Sequence, residues 1–190
     1  MTRLINRNLI VGVTGSIAAY KAAELTRSLI REGANVRVIM TEGACEFITP
    51  LTLQALSGHE VHTDLLDTEA EAAMGHIELA RWADALLIAP ASADSIARLV
   101  QGRADDLLGA CALATPAPVF VAPAMNQEMW AKQATQDNVQ TLIARGVTLL
   151  GPSSGSQACG DVGAGRLLEP DQIILEVAEQ FSTGALAGRH

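Results

Sequence analysis

Residues Leu9–Val13 form a short apolar run that stops at Thr14-Gly15-Ser16 and passes straight into an amphipathic stretch; this join constrains the fold more than any other feature. A short apolar run bounded by glycine is the pattern of a buried strand. Ile17, Tyr20, Ala23, Leu25 and Leu29 then supply the apolar positions of a helix over Ile17–Arg31, with Gly33 as its stop. Val36–Met40 is a second apolar run with Thr41 at its carboxyl end. Strand, helix and strand in that order predict a parallel pair joined by a right-handed crossover.

The same alternation continues. Glu42–Leu56 is helical in pattern, with a break near Thr49 because Pro50 cannot continue a helix. Residues 58–74 are irregular and acidic, and Gly75 precedes a short helix over His76–Ala83. Ala85–Ala89, Val119–Ala122 and Val147–Leu150 are the remaining strands. Ser92–Val100, Asp105–Ala114, Thr135–Arg145 and Pro170–Phe181 are the remaining helices. Residues 151–166 are rich in glycine and serine and predict a long loop, and 182–190 have the character of a linker. The fold class is therefore α/β: a parallel sheet with helices on both faces, one domain over 1–181. Ligands of such sheets bind beyond the carboxyl ends of the strands. Thr14-Gly15-Ser16, Thr41, Pro90-Ala91-Ser92 and Pro123-Ala124-Met125-Asn126 all fall there.

Composition narrows the function. The chain has 190 residues, 49% of them hydrophobic, enough for one sizeable core. A formal net charge of −8 and only 3% aromatic residues disfavour a nucleic-acid surface. No apolar run reaches the roughly 20 residues needed to cross a bilayer, and no signal core opens the chain, so the expected location is the cytoplasm. Three cysteines without a CxxC pair give neither a metal motif nor a disulfide framework.

Within the strand-end segments, Gly15, Ser16 and Ile17 join a strand to a helix start, where backbone N–H groups favour an anion. The absence of GxxxxGK[ST] and GxGxxG argues for a single phosphate over a P-loop or a dinucleotide. A plain turn capped by Ser16 fits the same residues. Ser92 and Ser95 are either further donors to that phosphate or helix caps. His76 is a candidate acid or base, since its ordinary pKa lies near 6.5. Asn126 can donate to and accept from a substrate carboxylate, or cap the segment that follows it. Cys159 sits in a polar, glycine-rich run, the setting of an accessible proton-donating thiol, whereas Cys111 and Cys45 lie in apolar or helical settings. Gly160, Gly163 and Gly165 suit a segment that folds over a ligand or one without order, and Arg166 suits a phosphate, a carboxylate or open solvent.

The segments GVTGSIAAYKAAEL, VRVIMTEGACEFITPLTLQALSG, EAEAAMGHIELARWAD, LLIAPASADSIARL, VFVAPAMNQEMW and GSQACGDVGAGRLLEP carry a resemblance across nearly the whole chain. The chain resembles the homo-oligomeric flavin-containing cysteine decarboxylases, and among them the phosphopantothenoylcysteine decarboxylase domains of bacterial coenzyme A biosynthesis. The resemblance implies a flavodoxin-like fold that binds FMN and an activity that turns 4'-phosphopantothenoylcysteine into 4'-phosphopantetheine. It implies FMN contacts at Gly15, Ser16, Ile17, Thr41, Ser92 and Ser95. It implies catalytic roles for His76, Asn126 and Cys159, and substrate contacts at Ala124, Met125, Asn126, Gly160 and Arg166. It also implies a homo-oligomer, a trimer or four trimers in a dodecamer, with FMN at the trimer interface. A ligase domain follows in the bifunctional relatives, and 182–190 would begin the linker to it. Two departures are Leu167, where the family often has Met, and Ser16, where it often has Gly. Some relatives act on peptide C-terminal cysteines and stop at the enethiol; Cys159 favours a cycle completed by reduction. A flavin-binding regulatory protein or a flavin prenyltransferase would not need His76, Asn126 and Cys159 together.

Overall fold

Successive side chains of the central strands enter two different apolar layers, because a strand's residues alternate between its faces. Leu9, Val11 and Val13 of β1 (Asn8–Val13) belong to one layer and Ile10 to the other. In β3 (Ala85–Ala91), Ala85, Leu87 and Ala89 join the first layer and Leu86 and Ile88 the second. β2 (Asn35–Met40) and β4 (Val119–Pro123) divide in the same way. These strands are buried on both faces, which is why they read as continuous apolar runs in sequence. The computed structural model describes residues 2–65 and 75–182.

With β5 (Thr148–Leu149) the strands form one parallel sheet in the order β2-β1-β3-β4-β5. That is the flavodoxin-like order, whose switch point lies between β1 and β3. α1 (Lys21–Arg31), α2 (Glu42–Cys45), α3 (Pro50–Ser57) and α9 (Pro170–Ser182) cover the first layer. α4 (His76–Trp82), α5 (Ala93–Gln101), α6 (Leu107–Ala114) and α8 (Gln133–Ala144) cover the second. The outer edge of β2 is partly closed by residue 62: its N–H bonds to the Val38 carbonyl and its carbonyl accepts from Met40, at 3.0 and 2.9 Å.

Local chemistry sets the element ends. Thr41, Ser92 and Asp106 each cap a helix with a side-chain oxygen. Pro50 opens α3 at its first turn, with Thr49 extended before it, so the expected break near Thr49 is present. The helix expected from Ile17 begins as a 3-10 turn over Ile17–Tyr20 and becomes α-helical at Lys21. Before the helix expected at Thr135–Arg145 there is a short one, α7 (Gln127–Ala131), separated from α8 by Lys132 in an extended conformation.

One expectation is corrected. Residues 151–166 are not a loop throughout: β6 (Ser153–Ser156) and β7 (Val162–Arg166) pair as an antiparallel hairpin. Glycine and serine give no apolar alternation, and the pairing rests on backbone bonds and on contacts to the strand-end turns. Residues 183–190, expected to begin a linker, and 66–74 of the acidic segment lie outside the described residues.

Candidate active site

Three turns at the carboxyl edge of the sheet are bonded to one another. Thr14, fully buried after β1, donates its hydroxyl to the Pro90 carbonyl at 2.7 Å and accepts the Ser92 N–H at 2.9 Å. Ser16 accepts the Ala18 N–H at 3.2 Å and donates to the Ala124 carbonyl at 3.4 Å. Ala124 in turn donates its N–H to the Ala91 carbonyl at 3.0 Å. Gly15 meets Gly43 backbone to backbone; a Cβ on Gly15 would lie 3.2 Å from the Gly43 carbonyl carbon.

The β6–β7 hairpin is tied to the turn after β4. The Met125 N–H donates to the Gly165 carbonyl at 2.9 Å. The Gln157 side chain accepts the Gln127 N–H at 3.0 Å and donates to the Ala164 and Met125 carbonyls at 3.2 and 3.5 Å. Gly165 has φ +133, and a Cβ there would overlap the Met125 carbonyl oxygen, so a side chain is excluded at this crossing.

Between the turns and the hairpin lies a cleft of about 600 Å³. Gly15, Ser16, Ile17 and Ser92 line one part of it, and Ala124, Met125, Asn126, Cys159 and Arg166 another. Ile17, Tyr20, Met129 and Leu167 give it apolar surface. Its charged lining residues are Lys21 and Arg166, and among the described residues no carboxylate lines it. Both cations reach Glu169 at the rim, Lys21 at 2.8 Å and Arg166 at 3.5 Å. A cationic cleft in an acidic chain is a local departure suited to an anionic ligand.

At the cleft Asn126 and Cys159 meet a residue that the sequence reading did not single out. The Asn126 Oδ1 accepts the Glu128 N–H at 2.8 Å, which leaves its Nδ2 as a donor. That Nδ2 donates to Asp161 Oδ2 at 3.1 Å and lies 3.4 Å from Cys159 Sγ. The Cys159 thiol itself donates to Asp161 Oδ2 at 3.3 Å. Gln157, Cys159 and Asp161 are spaced by two in sequence, the only signal that could have grouped them.

Other expected site residues lie apart from the cleft. His76 opens α4, whose Leu79 packs in the second layer, and His76 is not among the residues lining the cleft. Its carbonyl accepts the Cys111 thiol at 3.5 Å. Thr41 caps α2 by accepting the Ala44 N–H and lines a separate cavity of about 490 Å³ with Asp64, Asp105 and Asp106. Ser95 is buried behind Ser92, whose hydroxyl donates to it at 3.1 Å. Gly160 is exposed in the hairpin turn, its N–H on the Gln157 carbonyl. Of the cysteines only Cys159 is exposed. Burial, with Asp106 adding to it, pushes the Cys111 thiol up to about 12. Burial and then Glu46 and Glu42 raise Cys45. Among the described residues no cluster of side chains could hold a metal ion.

Residues 2–182 match the Flavoprotein family. The chain is 57% identical over 180 residues to the coenzyme A biosynthesis bifunctional protein CoaBC of Haemophilus influenzae, covering 95% of this chain and 45% of that protein. It thus spans about half the length of the curated relatives it matches. A solved PPC decarboxylase variant in complex with pantothenoylaminoethenethiol superposes with a TM-score of 0.82 at 33% identity, over 93% of this chain and 99% of that one. The FMN-binding protein AtHal3 superposes with a TM-score of 0.80 at 33% identity, over 94% of this chain and 98% of that one. With its sheet order, its strand-end cleft and a match that runs through nearly all its length, the chain belongs to the flavoprotein family.

Proposed function

We propose that this chain binds FMN and decarboxylates 4'-phosphopantothenoylcysteine to 4'-phosphopantetheine on the route to coenzyme A. The observation that carries the reading is the meeting of Asn126 and Cys159 at a cationic cleft, in a chain so similar to CoaBC proteins and to a PPC decarboxylase. The cleft suits a flavin phosphate and ring: Gly15 leaves the backbone open, Ser16 and Ser92 offer hydroxyls, and Ile17 and Met129 offer apolar faces. Ser95, behind Ser92, supports that strand-end turn through the hydroxyl bond between them.

The residues divide the work. Loss of carbon dioxide needs an electron sink beside the carboxylate, and a flavin held by Gly15, Ser16, Ile17 and Ser92 would supply the reversible hydride chemistry that provides it. Asn126 orients the substrate carboxylate through its amide, with Ala124 and Met125 forming the wall beside it. Cys159 delivers a proton to the ene-thiolate carbon in the final reduction. Lys21 and Arg166 hold the substrate's phosphate end, with the Gly160 turn closing above. His76 assists deprotonation of the substrate thiol. Because it does not line the cleft of its own chain, it acts at the cleft of a neighbouring copy, so the working unit is a homo-oligomer, a trimer or four trimers together. The enzyme works in the cytoplasm, with a ligase domain as its partner in the full-length protein.

The test is incubation of the purified protein with 4'-phosphopantothenoylcysteine, with products identified by mass spectrometry. Formation of 4'-phosphopantetheine is expected. Bound flavin without any turnover would overturn the reading.

A further inference from the structure

The Cys159 thiol is surrounded more by acceptors than by donors. Asp161 Oδ2 takes its hydrogen at 3.3 Å, and Gln157 Oε1 lies 3.9 Å away on another side. Among the described residues only the Asn126 amide, at 3.4 Å, offers the sulfur a donor, and the same amide hydrogens also serve Asp161 at 3.1 Å. The arrangement is held by backbone: the Gln157 N–H bonds to the Asp161 carbonyl at 2.7 Å and the Gly160 N–H to the Gln157 carbonyl at 3.0 Å. The other charged groups on this cleft, Lys21 and Arg166, are both engaged by Glu169.

From this geometry we infer that Asp161 is a positioning residue for the reductive half of the reaction: its carboxylate accepts the Cys159 S–H and fixes the direction in which the thiol points. The inference deepens the decarboxylase reading and rests on it for its catalytic consequence. A carboxylate oxygen that accepts the S–H holds the thiol in one rotamer. One proton leaves sulfur for carbon, and the hydride that a bound reduced flavin would supply goes to the adjacent carbon, which saturates the double bond. The resulting thiolate, facing the carboxylate, recovers a proton from water. The same oxygen accepts from Asn126 Nδ2, and in Asp161→Asn the amide oxygen can still accept that bond, so the group that orients the carboxylate keeps its partner.

Asp161→Asn separates this role from a structural one, and Asp161 is exposed enough for the change to be accommodated. In the substrate-free protein at low ionic strength, alkylation of Cys159 by iodoacetamide at fixed pH is expected to quicken about fivefold, because the sulfur is released from its carboxylate partner, a contact of about 1 kcal/mol. Asp161→Glu keeps the slow alkylation. With 4'-phosphopantothenoylcysteine, Asp161→Asn is expected to release carbon dioxide near the wild-type rate while oxidised enethiol product accumulates. An unchanged alkylation rate in Asp161→Asn overturns the inference, as does equal slowing of decarboxylation and reduction. The alkylation result stands whether or not the protein turns over this substrate, so failure of the decarboxylase reading is told apart from failure of this one.

Discussion

The amide nitrogen of Asn126 lies 3.4 Å from the sulfur of Cys159, across 33 positions of chain. One partner ends the turn after β4 and the other sits at the tip of the β6–β7 hairpin, so their contact reports how the hairpin is docked. Most of the function proposed above turns on that contact, and it can be dissected one atom at a time.

Cys159→Ser should leave the fold intact, since the residue is exposed, and should stop the cycle after decarboxylation. The expected product is the oxidised enethiol, with formation of the saturated thiol reduced at least ~100-fold. Mass spectrometry of products beside an unchanged thermal melt checks it. Wild-type amounts of 4'-phosphopantetheine would remove Cys159 from the mechanism.

Asn126→Asp divides capping from substrate orientation. An aspartate still caps α7, so stability should hold within about 0.5 kcal/mol. The new carboxylate faces Asp161 and the substrate's own carboxylate, and kcat/KM should fall ~100-fold or more. Asn126→Ala should lose both, with about 1 kcal/mol less stability. Urea melts beside steady-state kinetics distinguish the two variants.

Thr14→Val preserves shape and removes a fully buried hydroxyl that donates to Pro90 and accepts from Ser92. The Ser92 N–H then loses its acceptor, and the fold should lose about 1–3 kcal/mol. Flavin retention during gel filtration should weaken with it, because the two turns that flank the cleft are no longer bonded through this side chain.

Cys111 makes a pH prediction. Its thiol is pushed up to about 12 by burial, against an ordinary value of 9.0. Between those values the unfolded chain gives up a proton that the folded chain keeps. The stability it contributes is therefore complete below about pH 9 and falls as the pH rises toward 12. Urea midpoints at about pH 8 and about pH 10.5 should differ less in Cys111→Ala than in the wild type.

His76 can be tested by mixing. If it serves the cleft of another copy, His76→Asn and Cys159→Ser proteins, neither of which forms 4'-phosphopantetheine alone, should recover its formation after co-refolding. No recovery from mixed oligomers would place His76 outside the reaction or back in its own chain's cleft.

Much of the scaffold was legible because its signals are local. Apolar runs such as Leu86–Ile88 mark strands, and Ser92 and Pro50 mark helix starts through backbone chemistry that needs no partner. The hairpin was not legible, since Ser153–Ser156 and Val162–Arg166 have no apolar rhythm and are held by Gln157 and the Met125 backbone, remote in sequence. The strand-end turns that line the cleft were readable for the same reason as the strands. Asp161 was not, because its meaning lies in Asn126, which is 35 positions away. The placement of Thr41 away from the cleft likewise depends on how α2 packs, which no spacing encodes.

The two cations of the cleft belong to a chain whose formal charge is −8, and this affects how a ligand arrives. A phosphorylated, carboxylated molecule approaching from bulk water first meets a repulsive far field. Only within roughly 10 Å, the screening distance at moderate ionic strength, does it feel the surplus positive charge of Lys21 and Arg166 over their shared partner Glu169. Capture is thus slow at long range and selective at short range. Raising the salt concentration should first quicken the encounter, by erasing the long-range repulsion, and only afterwards loosen the grip. The on-rate of such a ligand would pass through a maximum as salt is added, the reverse of the steady decline seen when a whole surface attracts its ligand.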